Sequence, residues 1–406
     1  MSLAARIACV CLFATMNGAW AAEPIKIGVD GPFTGGSSPA GVSMRNGVRM
    51  AAAEINAAGG VLGRQLLLVE RDDEAKNERG VQVAQELIHS EGVLAVVGFV
   101  NTGVALAAQR YYQEARIPVM DNVATGSILT HQFDDQPENY VFRNSAADNL
   151  QAPMIVEEAV TRRGLRKLAI LADSTNYGQL GRQDLVKALA AKGVIPVTEE
   201  KFNVKDVDMS AQLLRAREAG AEAILVYGIG PELAQIAAGM VKLDWKVPMI
   251  GCWSLAMSNF IDNAGDAGEG ARMPVTFIQE PTNAKRRAFI EAYLRLYHPK
   301  GDRIETAPQA AQGYDSLCLL AAAMIQAGST EGPKIRAALE DLQRPVEGVV
   351  MTYVKPFSRT NHEAYGMDVP AIGEVKGRRV VYAYEDDLRK ASAPSSPAVT
   401  AKVPPR

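Results

Sequence analysis

Two short groups of residues carry the polar chemistry a small ligand would need: Asn101-Thr102, and Thr125-Gly126-Ser127. Each follows an apolar, β-branched run, Leu94–Phe99 in one case and Ile117–Met120 in the other, so each sits where a strand ends. Hydroxyls and helix-start N–H groups are then delivered to neighbouring points. A helix start leaves four N–H groups without partners and carries the positive end of the macrodipole, which makes it a seat for a carboxylate. The chemistry expected is retention of a small anionic or zwitterionic solute.

Residues able to convert a substrate are harder to find. There is no G-x-S-x-G elbow, no G-x-x-x-x-G-K-[ST] loop and no H-E-x-x-H pair. Gly228-Ile-Gly230 starts like a dinucleotide fingerprint, but Leu233 stands where its third glycine belongs, and Pro231 reads as a first-turn proline. The four histidines, His89, His131, His298 and His362, have no metal spacing. Asp72-Asp73-Glu74 follows a strand and reads as an exposed charged turn, with a metal or acid/base cluster near the cleft as the alternative. No catalytic residue, cofactor or metal is therefore expected.

The elements that must position these groups alternate. Strands are predicted at 25–29, 66–70, 94–99, 117–120, 167–172, 223–227, 247–250 and 275–278. Between them lie helices at 42–56, 78–90, 102–114, 150–163, 179–192, 209–219 and 231–243. Apolar strands separated by helices of this length give parallel sheets covered on both faces, a doubly wound α/β fold. Alternation lapses after about residue 280, where helices are predicted at 283–297, 308–327 and 333–342. Strands return at 348–354 and 378–384.

The ends differ from the body. Arg6, the apolar run Ile7–Ala14 and Ala19-Trp20-Ala21 read as a cleaved export signal over residues 1–22. Lys and Arg number 43 against 46 Asp and Glu, a formal charge of −3 that becomes −4 without Arg6 and argues against nucleic acid. Cys252 and Cys318 would be the cysteines left; they either pair or stay buried and free. The exported chain is expected to be soluble and a monomer. Its end is Ala/Ser/Pro/Val-rich, and a disordered tail is predicted over 387–406.

Several stretches together resemble a known family. Ile25-Lys-Ile-Gly-Val-Asp-Gly-Pro-Phe-Thr-Gly35, then Gly47 to Gly63 with Ala51-Ala52-Ala53-Glu54-Ile55-Asn56 at its centre, then Asp72-Asp73, look like the opening of the leucine/isoleucine/valine-binding proteins. Val97-Gly98, Ile117-Pro118-Val119, Tyr177-Gly178 and Gly313-Tyr314-Asp315 continue the likeness over residues 24–385. These are type I periplasmic solute-binding proteins of ABC importers. The resemblance implies two doubly wound lobes joined by three crossovers, near 143–146, 273–275 and 346–352. One lobe would comprise 23–144 plus 275–348, the other 145–274 plus 349–386, with ligand held between them at strand C-terminal ends. It also implies a periplasmic location, hinge closure and a membrane permease as partner. A sensor domain of the same fold is the alternative; a secreted hydrolase lacks its motifs.

Carried onto this chain, the family pattern makes Thr102 a carboxylate-holding hydroxyl, and Val123 and Thr125 contacts to the ligand head group. Tyr177 matches a tyrosine that closes over the ligand from the second lobe, and Asn101 flanks the anchor. The pattern also departs from the family. Trp253 stands where branched-chain amino acid binders place a glutamate for the ligand ammonium, Gly230 replaces a tyrosine, and Ala75 and Asn101 occupy the positions of an early disulfide. An ammonium without its acid would be unpaired in a desolvated cleft. Phe99, Trp253 and Tyr177 could instead sandwich a flat aromatic acid. An amino acid stays open, with Glu280, Asp173 or Asp121 as a substitute acid.

Overall fold

A computed structural model describes residues 23–392, so the expected export signal lies outside the described residues. Chain order begins with β1 (Ile25–Gly31), α1 (Ser38–Ala57), β2 (Leu66–Asp72) and α2 (Asn77–Gln85). It continues through β3 (Ala95–Gly98), α3 (Thr102–Glu114), β4 (Val119–Asp121) and β5 (Val141–Arg143). The five strands form one parallel sheet in the order β2-β1-β3-β4-β5. That order reverses direction beside β1 and β3, and a crevice opens there at the strand C-termini.

The chain then leaves this sheet for a second. It runs through α4 (Asp148–Val156), β6 (Leu168–Asp173), α5 (Asn176–Ala191), β7 (Thr198–Phe202), α6 (Ser210–Glu218) and β8 (Ala223–Tyr227). α7 (Gly230–Lys242), β9 (Met249–Gly251), α8 (Ser258–Ala264) and β10 (Arg272–Val275) complete this pass. Every residue of β6 and β8 is buried, as befits strands covered by helices on both faces. After Val275 the chain returns to the first lobe with α9 (Ala284–Tyr297), α10 (Ala307–Ala327) and α11 (Gly332–Glu340).

α10 lies along α1, and glycine lets the two backbones touch. A Cβ at Gly47 would lie 1.9 Å from Ala310 O, and one at Gly313 would lie 2.3 Å from Met44 O. This close crossing carries the first turn of α10 to the start of α1, beside the crevice. A small hairpin follows, β11 (Val346–Glu347) and β12 (Thr352–Tyr353), before β13 (Ala371–Lys376) and β14 (Arg379–Tyr382) join the second sheet as antiparallel edge strands. The second sheet reads β14-β13-β10-β9-β8-β6-β7. The fold is thus α/β, two largely parallel lobes joined by three crossings.

Several predictions shift. The strand expected at 275–278 ends at Val275 rather than beginning there. β5, β7 and β13 were not foreseen. β7 reads Thr-Glu-Glu-Lys-Phe, an edge strand with two outward charges and no apolar run to announce it. The third crossing, expected near 346–352, comes later, because the segment after β12 still packs on the first lobe. There the Tyr353 hydroxyl donates to Asp315 at 2.9 Å and the His362 ring stacks on Phe142 at 3.9 Å. Of the disordered tail predicted over 387–406, residues 387–392 are instead helical, while 393–406 lie outside the described residues. α12 (Glu385–Ser392) is helical, with Glu385, Asp386 and Asp387 in its first turn and Arg389 and Lys390 in its last, matching the macrodipole. Among the described residues no helix is long and apolar enough to cross a membrane.

Candidate ligand-binding site

Seven chain segments meet where the two sheets face each other. The loop after β1 supplies Ser37 and the first turn of α1 Ala40, the turn after β3 supplies Val100 and Asn101, and the loop after β4 supplies Val123 and Thr125. Across the gap stand Tyr177 from the start of α5, Ile229 after β8, and Trp253, Ser254 and Met257 after β9. Gln309, in the first turn of α10, completes the wall. Together they border a narrow space of about 30 Å³ between the lobes. Its position at strand C-terminal ends follows from the α/β topology.

The lobes close over this space through direct bonds. Ser127 Oγ donates to Asp184 Oδ2 at 2.6 Å, Asn259 Nδ2 donates to Gly36 O at 2.8 Å, and the Asp148 N–H donates to Thr125 O at 2.8 Å. Tyr177 is 6 % exposed and Trp253 4 %, so both rings are shielded from water. The Tyr177 hydroxyl lies 3.4 Å from Ser254 Oγ, and its ring stands 5.1 Å from Tyr227. Gln151 Oε1 accepts the Trp253 N–H at 3.1 Å and fixes the turn that presents the indole.

Of the residues singled out from sequence, Asn101, Val123, Thr125, Tyr177 and Trp253 border the space. Two do not. Thr102 is buried beside it, with its hydroxyl accepting the Gly126 N–H at 3.3 Å, so it shapes the loop carrying Thr125. Phe99 corrects the expected aromatic sandwich. Its ring is fully buried between the sheet and α3, 6.2 Å from Tyr112 and among Val96, Val104 and Ala108. An apolar layer under a helix is the better place for a ring with no polar edge.

Among the described residues no charged side chain borders the space. The acids proposed as substitutes are engaged elsewhere or stand outside it. Asp121 accepts the Phe99 N–H at 3.1 Å, Asp173 accepts the Thr175 N–H at 2.9 Å, and Glu280 is not among the lining residues. Burial pushes the Asp121 carboxyl up to about 8, against the pull of Arg143. Asp148, one shell behind Thr125, is pushed up to about 7 by burial although the Tyr227 hydroxyl donates to it at 2.6 Å. Cys252 and Cys318 are both free, and burial raises both thiols. No group of three or more metal-ligating side chains occurs among the described residues.

Sequence reasoning missed Ser37, Ile229, Met257 and above all Gln309. Nothing local marks Gln309, which looks like any polar residue in a helical first turn. Only the α1–α10 crossing brings it to the cleft.

Known proteins share this architecture. A family model described as periplasmic binding protein matches residues 24–373. The leucine-, isoleucine-, valine-, threonine- and alanine-binding protein of Pseudomonas aeruginosa is 28 % identical over 322 residues, covering 79 % of this chain and 83 % of its own. A type 1 periplasmic binding protein from Bordetella pertussis superposes with a TM-score of 0.80 at 25 % identity, covering 88 % of this chain and 99 % of its own. A solute-binding protein of an ABC transporter from Rhodopseudomonas palustris, in complex with benzoate, superposes at 0.76 with 21 % identity over 89 % of this chain and 95 % of its own. With its fold, its cleft and most of its length accounted for in this way, the chain belongs to the periplasmic binding protein family, among the type I members related to the leucine/isoleucine/valine-binding proteins.

Proposed function

We propose that this chain is the exported substrate-binding protein of an ABC importer and that its ligand is a small carboxylic acid, an aromatic acid in preference to an α-amino acid. The observation that carries the preference is that, among the described residues, no charged side chain borders the space between the lobes. An α-amino acid would place a desolvated ammonium there with no carboxylate to pair it, which is costly in a closed site. A benzoate-like acid needs donors for its carboxylate and flat apolar contacts for its ring. Thr125 and the N-terminus of α3 offer the first; Tyr177, Trp253, Ile229 and Met257 offer the second.

The mechanism is binding with closure. Ligand held by the loops after β3 and β4 is covered by Tyr177 and Trp253 from the other lobe, and these contacts exist only when the lobes meet. Differential contact of this kind shifts the population toward the closed form, which is the form a membrane permease would recognise. The lobes in this reading are residues 23–144 plus 275–348 with the packed segment to about 365, and 145–274 plus about 366–386. Delivery to a permease places the protein in the periplasm.

Thermal unfolding with a panel of ligands tests the reading. Benzoate, the hydroxybenzoates, leucine, valine, threonine and alanine would each be added in excess. A ligand at 100 times its Kd stabilises the fold by about 2.7 kcal/mol. Aromatic acids should raise the Tm. If only the amino acids raise it, the aromatic preference is wrong; if nothing in the panel does, the solute class is wrong.

A further inference from the structure

A larger recess lies where the crossings pass between the lobes. Phe277 and Ile278 of the second crossing, Val350 and Val354 in and after the β11–β12 hairpin, and Val369 and Pro370 on the way into β13 give it apolar walls. Its volume is about 540 Å³, within the range of small-molecule sites. Arg286, in the first turn of α9, borders this recess and is only 7 % exposed. Its Nη1 donates to the Tyr382 hydroxyl at 2.9 Å, its Nη2 donates to Val350 O at 3.1 Å, and the guanidinium lies 4.9 Å from the Phe277 ring centre. All three partners are neutral. A guanidinium always keeps its charge, and shielding it from water without a carboxylate is costly. Elsewhere in this chain shielded arginines carry their acids: Arg143 pairs with Glu363, Arg272 with Glu158 and Glu374, and Arg336 with Glu138 and Glu340. Among the described residues Arg286 has no such partner, and it faces a space able to admit one.

The other charges around the recess narrow the class of ligand. Asp368 and Lys390 are exposed, and Asp387 is half-buried with Oδ2 accepting the Ile372 N–H at 3.3 Å. Two acids against one lysine leave the rim at −1, screened by water but opposed to a polyanion. We infer that the recess is a second ligand site, for a monovalent carboxylate with an apolar body. The head group pairs with Arg286, and the body lies against Phe277, Val369 and Pro370. This site is separate from the cleft and does not depend on which acid the cleft takes. Its walls come from two of the crossings, so an occupant's contacts change when the lobes rotate. Occupancy and closure are coupled in consequence.

Octanoate, octanol and inorganic phosphate are the probes, titrated calorimetrically into the full chain. Octanoate should bind about tenfold or more tighter than octanol, which lacks the charge-assisted bond, and phosphate, which lacks the apolar body, should not displace it. Arg286→Gln should weaken octanoate about tenfold or more. Val354→Trp, which fills the recess from a position 46 % exposed, should abolish octanoate binding without removing any core group. Octanol binding as tightly as octanoate, or displacement of octanoate by phosphate, would overturn the ligand class. Failure of octanoate to bind, or binding that survives both variants, would overturn the site. The comparison of octanoate with octanol needs no variant, so a folding defect in Arg286→Gln leaves the inference open to refutation. Coupling is read with the cleft ligand that the thermal panel identifies, whose Kd should change about fivefold or more when octanoate saturates the recess. An unchanged Kd would overturn the coupling and leave the site standing, and a panel in which nothing binds the cleft would refute the proposed function without touching the octanoate result.

Discussion

Arg143 and Glu363 stand 220 positions apart and meet as a two-pronged ion pair: Arg143 Nε donates to Glu363 Oε2 at 2.8 Å while Nη2 donates to Oε1. The guanidinium is fully buried and the carboxylate is 17 % exposed. Arg143 Nη1 also donates to Gly126 O at 2.7 Å, and the Thr130 hydroxyl bonds Glu363 Oε1. The last crossing segment is in this way tied to the loop that presents Thr125.

Glu363→Ala would leave that guanidinium buried with a single backbone carbonyl. Removing one partner of a buried pair costs about 3–5 kcal/mol. Urea unfolding should show the midpoint fall accordingly. A loss below about 1 kcal/mol, the range of exposed pairs, would mean that the pair is dispensable.

Thr125→Val should weaken binding of whichever panel acid proves the ligand by about 1–3 kcal/mol, because a hydroxyl of the lining is lost. Thr102→Ala should weaken it less, since that hydroxyl is already occupied by the Gly126 N–H. Titration calorimetry ranks the two; the reverse order would restore Thr102 as the anchor.

Trp253→Glu exchanges a ring of the apolar wall for a carboxylate at the turn after β9. Benzoate binding should fall and leucine binding should rise, since a desolvated ammonium would gain a partner. The same pair of titrations checks both directions, and unchanged selectivity would remove Trp253 from the site.

Phe99→Ala separates core from cleft. The ring packs under α3, so its loss should cost about 3–5 kcal/mol of stability. Ligand affinity in the variant should stay close to that of the unaltered chain. A large affinity loss at modest cost in stability would return Phe99 to the ligand.

Asp121 predicts a pH dependence. Burial raises its carboxyl from the ordinary 3.8 to about 8, so the folded chain keeps a proton that the unfolded chain releases. The stability contributed is whole below 3.8 and is lost as pH rises through about 8. Asp73 and Asp148, each pushed to about 7 by burial, act with the same sign. The Tm should therefore decline from pH 5 to pH 9, and Asp121→Asn should flatten part of that decline, on the order of 2 kcal/mol. Parallel curves for the two proteins would show that Asp121 does not titrate in this range.

The local pattern of residues was enough to determine the α/β class and most of the elements. The helix Thr102–Glu114 and the strand Ala223–Tyr227 stand where periodicity and apolar runs put them, because burial on one or both faces of an element is written within the element itself. Strand-end polar residues likewise pointed to Asn101 and Thr125. The direction of Phe99, the indirect role of Thr102, the arrival of Gln309 and the exclusion of Asp121 and Asp173 from the cleft were decided only by tertiary structure. Each depends on which remote segment packs alongside: α3 over Phe99, the Gly126 turn on Thr102, α1 against α10. A side chain's orientation at the end of a strand costs little locally, so the neighbours supplied by folding set it, and those neighbours come from segments far apart in the chain.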